Sequence, residues 1–159
     1  WSSDVCSSDL NLNLISNNVY YLFITNMNSK YIGTITLLVN NYDEAIDFYI
    51  NKVGFKLIED TRRTSTKRWV IISPLSVNCT NCNLLLTKAI SINQKSTVGK
   101  QAGDGVFLFY FTDNFQRDYK FMKNNNVIFL EEPRNEKYGI VVKWKDIYGN
   151  KWDLIQSKS

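Results

Sequence analysis

The sequence predicts an α+β fold in which two βαβββ modules form a curved mixed-sheet cup. Three observations support this prediction. A 26-residue stretch repeats 72 positions later, each copy carries the start and stop signals of one helix, and each copy is followed by two further strand-like segments. With 159 residues, of which 44% are hydrophobic, the chain can form one domain with a substantial core.

The repeat aligns ITLLVNNYDEAIDFYINKVGFKLIED, residues 35–60, with FLFYFTDNFQRDYKFMKNNNVIFLEE, residues 107–132. In this alignment Asn41 falls on Asp113, and Gly54 falls on Asn126. Asparagine and aspartate are favoured at helix N-caps, and glycine and asparagine are favoured in the left-handed conformation that ends many helices. The repeat therefore conserves the two ends of a helix rather than its hydrophobicity alone.

The first helix is predicted over Tyr42–Val53, with Asn41 as the N-cap and Glu44 as its capping-box partner. Gly54 is expected to end it in the left-handed conformation. In the second copy Asp113 and Gln116 replace this cap and box partner, and Asn126 replaces the glycine.

Strands are predicted where β-branched and aromatic residues are dense and turn residues flank them. In the first module they are 31–39, 55–60, 68–73 and 83–87. In the second module they are the Phe107-Phe109-Phe111 alternation and residues 140–145 and 151–156. The three rings are interpreted as core, and the alternative is a stacking platform for a planar ligand. The polar, glycine-bearing segment 91–105 between the modules is interpreted as a linker.

Residues 1–26 are predicted to be a non-native leader, because DVCSSDL resembles a translated sequencing-adapter end and Asn11–Asn26 resembles translated upstream DNA. The alternative is a genuine N-terminal arm. Residues 27–159 are predicted to form a single domain, with modules at about 30–90 and 104–157.

Composition excludes several functional classes. The net charge is +4, no apolar run approaches the ~20 residues that span a bilayer, and the basic residues are scattered. We therefore expect a cytoplasmic protein with neither membrane nor nucleic-acid partners. One basic cluster, Arg62, Arg63, Lys67 and Arg68, predicts either a solvated hairpin face or the mouth of a site for an anionic ligand.

The sequence holds three cysteines and no histidine. Cys79 and Cys82 form a CxxC motif without the second pair or histidines that zinc sites need, so structural or incidental thiols are expected. The alternatives are a metal shared across a dimer or a redox pair.

Two segments resemble the vicinal oxygen chelate (VOC) superfamily, which includes glyoxalase I, bleomycin and fosfomycin resistance proteins, and extradiol dioxygenases. TLLVNNYDEAIDFYINKVGFKL, residues 36–57, resembles its first-module signature, and DIYGNKWDLIQ, residues 146–156, its closing one. The resemblance implies the cup-forming fold and a homodimer, since many relatives complete the cup across a two-fold axis.

Enzymes of that superfamily hold a divalent metal with side chains from both modules. The resemblance implies that the ligand positions here are Thr34, Leu85, Val106 and Asp153. A hydroxyl and two hydrocarbon side chains are poor metal donors, so no metal or other cofactor is expected. Gln101, Asp104 and Gln156 are the nearby donors that a shifted alignment would bring in.

Strand alternation predicts which side chains line the cup. Thr34 and Thr36 share one face of the first strand, and the predicted counterparts in the second module are Val106, Leu108 and Tyr110. The third strand contributes either Arg68, Val70 and Ile72 or Trp69 and Ile71. The predicted ligand-binding residues are Thr34, Thr36, Arg68, Val106, Leu108, Tyr110 and Asp153.

Asp153 is the candidate catalytic or ligand-orienting residue. A buried carboxylate needs a partner, for which Arg68, Lys143 and Thr34 are candidates, or else contact with water.

Three functions remain open. The first is metal-independent binding of a small, planar or cationic molecule in the cup of a homodimer, as in bleomycin resistance proteins. The second is a VOC-type enzyme, a lyase, isomerase or dioxygenase, with an atypical metal site. The third is a non-catalytic structural domain.

Overall fold

The computed structural model describes residues 32–74 and 82–158. The predicted leader, residues 1–26, and Cys79 of the CxxC motif lie outside the described residues. None of the helices in the described part is long and apolar enough to cross a membrane.

The first sheet has four strands in the order β1-β4-β3-β2. The β1–β4 pair is parallel, and the other pairs are antiparallel. All four strands were predicted, one with the same bounds and the others with ends that differ by at most three residues. Their bounds are β1 Thr34–Val39, β2 Lys56–Arg62, β3 Arg68–Ser73 and β4 Asn83–Lys88.

The second sheet repeats this arrangement, with the strand order β5-β9-β8-β6 and a short β7 that also pairs with β8. The counterpart of β2 is therefore divided into two pieces, which the sequence did not indicate. The bounds are β5 Val106–Phe111, β6 Ile128–Phe129, β7 Arg134–Glu136, β8 Gly139–Lys145 and β9 Lys151–Ser157.

The first helix begins as α1 (Tyr42–Asp47) and continues as a π-helical segment (Phe48–Val53). The Asn41 side chain caps α1 by accepting from the backbone N–H groups of residues 43 and 44, and Gly54 ends the π-helical segment with φ 94°, both as predicted. The predicted capping box with Glu44 is not formed. The Asn41 N–H donates to the Tyr148 hydroxyl at 3.3 Å instead.

The segment between the modules is more ordered than the predicted linker. It contains α2 (Ile92–Thr97), which starts at a capping box between Ser91 and Gln94. It then passes Gly99, where a Cβ atom would lie 1.8 Å from the carbonyl oxygen of Tyr148. This close approach requires glycine and packs the segment against the last turn of the chain.

The second module's helix, α3 (Phe115–Asn124), begins one residue later than predicted. Its N-cap is Asn114, whose side chain accepts from the Arg117 N–H at 3.0 Å, and not Asp113. Asn126 has φ 62°, so the predicted left-handed residue at the end of the helix is confirmed.

The helix-covered sides of both sheets meet in one hydrophobic core. The Tyr49 ring lies 5.7 Å from the Phe55 ring and 6.0 Å from the Trp152 ring. The first module's helix and the residue that precedes β2 therefore pack against β9 of the second sheet. Burying these large aromatic surfaces favours this packing. The bare sides of the two sheets are not the sides that meet within this chain, so each module presents its own open side.

Candidate functional site

The bare side of the first sheet carries Thr34 and Thr36, as predicted. Both are exposed, whereas Leu37, the next residue of β1 and on the opposite, helix-covered side, is fully buried. The register aligns Thr36 with Leu85 on β4, and Leu85 with Ile71 on β3. We call this side, with Thr34, Thr36, Ile71 and Leu85, the first open face.

A β-bulge at Phe107 changes the face of the following β5 residues. Val106 pairs with Lys151 and Leu108 pairs with Trp152, so Phe107 is an extra residue in β5. Leu108 and Tyr110 therefore pack on the helix-covered side, where they line a small apolar cavity of about 110 Å³ together with Phe55 and Trp152. Their predicted place on the cup side was wrong because strand alternation assumes an unbroken register.

Phe109 and Phe111 lie on the bare side of the second sheet instead. They are 60% and 61% exposed, and the register places them beside Asp153 and Ile155 of β9. Only Phe107 of the three phenylalanines packs against the core that was predicted for all of them. We call this side, with Phe109, Phe111, Lys143, Asp153 and Ile155, the second open face.

Asp153 is the polar centre of the second open face. It is 8% exposed, and its Oδ1 atom is buried without a hydrogen-bond partner in the described part of the chain. Burial raises the pKa of Asp153; the positive charges of Lys143 and Arg134 oppose this rise, and the negative charge of Glu131 adds to it. Lys143 is its cross-strand neighbour on β8, but the two side chains form no ion pair. A carboxylate oxygen left in this state is costly unless a donor reaches it.

Arg68 lies on the helix-covered side of the first sheet, away from Thr34 and Thr36. Its guanidinium forms ion pairs with Asp60 and with Asp43, the latter at 2.6 Å, and lies over the Tyr42 ring. The hydrogen bonds from Arg68 lower the pKa of Asp60. Of the two alternatives for β3, Trp69 and Ile71 therefore face the open side.

The positions at which the family would hold a metal do not offer a suitable donor set. On the first sheet Thr34 and Leu85 provide a hydroxyl and a hydrocarbon chain, and on the second sheet Val106 provides a hydrocarbon chain and Asp153 a carboxylate. No group of three or more acidic, cysteine or histidine residues could hold a metal ion within residues 32–74 and 82–158. Of the alternative donors, the Gln101 side chain binds the backbone of β1, and Gln156 accepts from the Phe115 N–H.

Cys82 is a free thiol, and burial raises its pKa. Its Sγ atom lies 3.8 Å from the carbonyl oxygen of Asn83, and the residue borders a cavity that Phe109 and Phe111 also line. This environment disfavours the reactive thiolate.

The chain was compared with known proteins and solved structures. A protein of Shewanella frigidimarina (strain NCIMB 400), named as uncharacterized, is 49% identical over 123 residues, which cover 77% of this chain and 90% of that protein. The uncharacterized protein YetH of Bacillus subtilis (strain 168) is 28% identical over 121 residues, which cover 76% of this chain and 93% of that protein.

Among solved structures, UcmS2 matches with a TM-score of 0.68 and 21% identity, over 80% of this chain and 98% of its own. TnmS3, an antibiotic binding protein from Streptomyces sp. CB03234, matches with a TM-score of 0.65 and 23% identity, over 83% of this chain and 99% of its own. At these identities the structures establish the fold alone. The family model of the Glyoxalase/Bleomycin resistance protein/Dioxygenase superfamily matches residues 31–154, and with the bulged two-module fold described above this chain belongs to that superfamily.

Proposed function

We propose that the protein binds a small molecule on the second open face, without a metal, and that the ligand donates a hydrogen bond to Asp153. The buried and unpartnered Oδ1 of Asp153 carries this proposal. A folded chain loses stability by burying such an atom, and a ligand N–H or O–H donor removes that cost when it binds.

The surroundings of Asp153 define the class of ligand. Phe109 and Phe111 offer exposed aromatic rings on the same face. Aromatic side chains favour flat apolar groups, and a carboxylate favours a cationic or amine-bearing one. A planar ligand with a protonated or neutral amino group satisfies both requirements.

A second copy of the chain completes the site in this proposal. Each open face is a bare surface in one chain, because the helix-covered sides are already packed together. A two-fold dimer can oppose the first open face of one copy to the second open face of the other, and so form two equivalent cups. The Thr34 and Thr36 hydroxyls would then face Asp153 across each cup and supply further polar contacts. The antibiotic binding by TnmS3, which shares the fold, is consistent with this use of the cup.

Proflavine, a planar cation with two amino groups, tests the proposal in calorimetric titrations, with anthracene-2-carboxylate as a planar anionic control. We expect saturable binding of proflavine, weaker binding of the carboxylate, and a loss of about tenfold or more in proflavine affinity in Asp153→Asn. Lys137→Gln, on an exposed turn, is the control substitution. Equal affinities of wild type and Asp153→Asn would remove Asp153 from the site, and failure of both probes and of a broader planar amine panel would overturn the proposal.

The absence of a metal requirement has its own test. Elemental analysis of the purified protein should find no stoichiometric Zn, Ni, Mn or Fe, and probe binding should be unchanged after treatment with a chelator. One bound metal per chain, lost together with binding, would favour the metal-dependent enzymes of the superfamily.

One observation favours a second function. The raised pKa of Asp153 also suits a general base, because such a group holds a proton more readily than an ordinary aspartate. An enzyme of this kind would change its ligand, whereas a binding protein would release it intact. Mass spectrometry of bound compounds after prolonged incubation separates the two functions.

A further inference from the structure

A groove lies at one end of the first sheet, on the helix-covered side and thus on the opposite side from Thr34 and Thr36. It has a volume of about 750 Å³ and is bounded by the start of α1, the β2–β3 turn, the end of β4 and α2. Its size falls in the range of small-molecule sites. The groove is separate from both open faces, so the proposed function does not account for it.

Cationic side chains line this groove from several elements of the fold. Arg62 lies on β2 directly across from Arg68 on β3, and Lys88 ends the adjacent strand β4. Lys67 follows the β2–β3 turn, and Lys95 belongs to α2. Of the basic cluster noted in the sequence, only Arg63 is engaged elsewhere, by Glu59 and the Trp69 ring.

Four of these five cations have no counterion among residues 32–74 and 82–158. Arg68 is held by Asp60 and Asp43, which leaves Asp43 as the one carboxylate that lines the groove, already paired at 2.6 Å. The side chains of the other four form no ion pair and no hydrogen bond with any residue the structure describes; they are Arg62, Lys67, Lys88 and Lys95.

Folding alone gives no reason for this arrangement. Like charges that are neighbours across adjacent strands repel one another and lower stability. Residues whose hydroxyl groups can donate hydrogen bonds also line the groove, namely Thr64, Ser65 and Thr66. Thr64 Oγ1 already accepts from the Lys67 N–H at 3.0 Å, so its own proton is free to be donated outward. Cations and hydroxyl donors facing one concave surface are complementary to an anion.

We propose that this groove binds a small molecule with at least two phosphate or sulfate groups, of about the size of a nucleoside diphosphate. Two or more anionic groups match this arrangement, because the unpaired cations come from four different segments around a groove of about 750 Å³. A long nucleic acid fits less well, because the cations line a short concavity and not a continuous stripe.

Pyrophosphate and ADP are the probes, titrated into the full chain by calorimetry and by thermal unfolding. We expect saturable binding, a rise in unfolding temperature with probe concentration, and weaker binding as ionic strength increases. The double variant Arg62→Gln/Lys88→Gln should lose about tenfold or more in affinity for both probes. Without a probe it should unfold at the same temperature as wild type or higher, because the repulsion has been removed.

A variant with the same change in net charge outside the groove is the matched control. Lys120→Gln/Lys137→Gln replaces two exposed lysines of the second module, and it should keep wild-type affinity. Equal weakening in both double variants would show a general charge effect and overturn the proposal. So would the absence of binding by either probe, or a single-stranded oligonucleotide that binds far more tightly than ADP in a groove-dependent manner.

Should Arg62→Gln/Lys88→Gln fail to fold, Lys67→Gln/Lys95→Gln provides the same comparison with two other groove cations. Asp153→Asn should leave ADP affinity unchanged, because Asp153 lies on the other sheet. Failure of the groove to bind anions and failure of Asp153 to bind planar amines are therefore separate results.

Discussion

The Tyr49 hydroxyl donates a 2.7 Å hydrogen bond to Oδ2 of Asp146 and so connects the first module's helix to the last turn of the chain. Both residues are buried. The other oxygen of Asp146 accepts from the N–H groups of Tyr148, Gly149 and Asn150 at 2.8–3.0 Å. Burial and the neighbouring Asp146 raise the pKa of Tyr49, which keeps its hydroxyl protonated and able to donate. A buried carboxylate is stable here because all its donors are present.

We expect Tyr49→Phe to lower the free energy of unfolding by about 1–3 kcal/mol, since it leaves a buried charged acceptor with one donor fewer. Asp146→Ala should cost more, because it removes the acceptor of several buried donors at once. Urea unfolding at neutral pH measures both changes. Tyr138→Phe, which removes a hydroxyl from a residue that is 56% exposed, is the control and should be close to neutral. A neutral Tyr49→Phe would mean that water replaces the phenol at this site.

Asp153→Asn should instead stabilise the unliganded protein by on the order of 1 kcal/mol, because it removes a buried charge that has no partner. The pH dependence gives a sharper test. A carboxyl whose pKa is raised in the folded state binds its proton more tightly there than in the unfolded chain. Stability therefore falls as pH rises from the unfolded pKa, near 4, through the folded pKa, and stays low above it.

The asparagine variant has no such proton, so this decline should be absent from its stability profile. Urea unfolding of both proteins at several pH values between 4 and 8 measures the difference, which should be largest at the upper end. Variants that diverge at low pH and coincide at pH 8 would contradict the raised pKa.

Arg68 and Asp60 make the opposite contribution to pH dependence. Hydrogen bonds from Arg68 lower the pKa of Asp60 in the folded state, so this pair stabilises the protein above the unfolded pKa of aspartate and loses its effect as pH falls through the folded pKa. Arg68→Gln should cost about 1 kcal/mol at neutral pH and less in acid. Carbon-detected NMR titration of the Asp60 carboxyl should show its pKa rising in the variant. Arg63→Gln, whose pair with Glu59 is exposed, should leave that pKa unchanged.

Most of the fold follows from local patterns, and the errors at Leu108 and Tyr110 have one geometric origin. The 72-residue offset aligns Gly54 with Asn126, and both are left-handed. The N-caps, however, are Asn41 and Asn114, which are 73 residues apart. The bulge at Phe107 adds the extra residue in the second module, and it moves Leu108 and Tyr110 to the helix-covered side.

The first module has one extra residue of its own, and this residue lies in the helix. Asn41 and Gly54 are 13 residues apart, whereas Asn114 and Asn126 are 12 apart. The π-helical turn of the first helix accommodates one more residue than an α-helical turn of the same length, so the two changes cancel. A sequence alignment conceals two compensating one-residue changes, because hydrophobic patterning continues through both. The Phe109–Asp153 pair on the second open face therefore could not be found from alternation.

The start of α2 was also visible in the sequence, but the polar, glycine-bearing composition of its segment favoured a linker instead. Ser91 and Gln94 have capping-box spacing and start α2 inside the segment interpreted as a linker. Gln101, two residues before Gly103, supports β1 through contacts between distant segments, which no local pattern indicates.

Gln101 completes the free edge of β1. Its Oε1 accepts from the Leu38 N–H at 2.6 Å, and its Nε2 donates to the Thr36 carbonyl at 3.0 Å, so one amide side chain replaces a pairing strand. Gln101→Ala should increase amide hydrogen exchange at Leu38 by about tenfold or more, the equivalent of ~1.4 kcal/mol of lost protection. Gln116→Ala, on the exposed surface of α3, is the control. Unchanged exchange at Leu38 would show that another group protects this edge.

Self-association should depend on the second open face if that face forms part of a dimer cup. Phe109→Ser removes a ring that is exposed in one chain but would be buried in a dimer, so we expect the dissociation constant of the dimer to increase by about tenfold or more. Ile92→Ser, on α2 and 86% exposed, removes a comparable apolar side chain outside both open faces and should leave association unchanged. Sedimentation velocity over a range of concentrations measures both. A monomeric wild-type protein that still binds proflavine through Asp153 would retain the ligand site and reject the dimer, because the second open face alone would then be sufficient for binding.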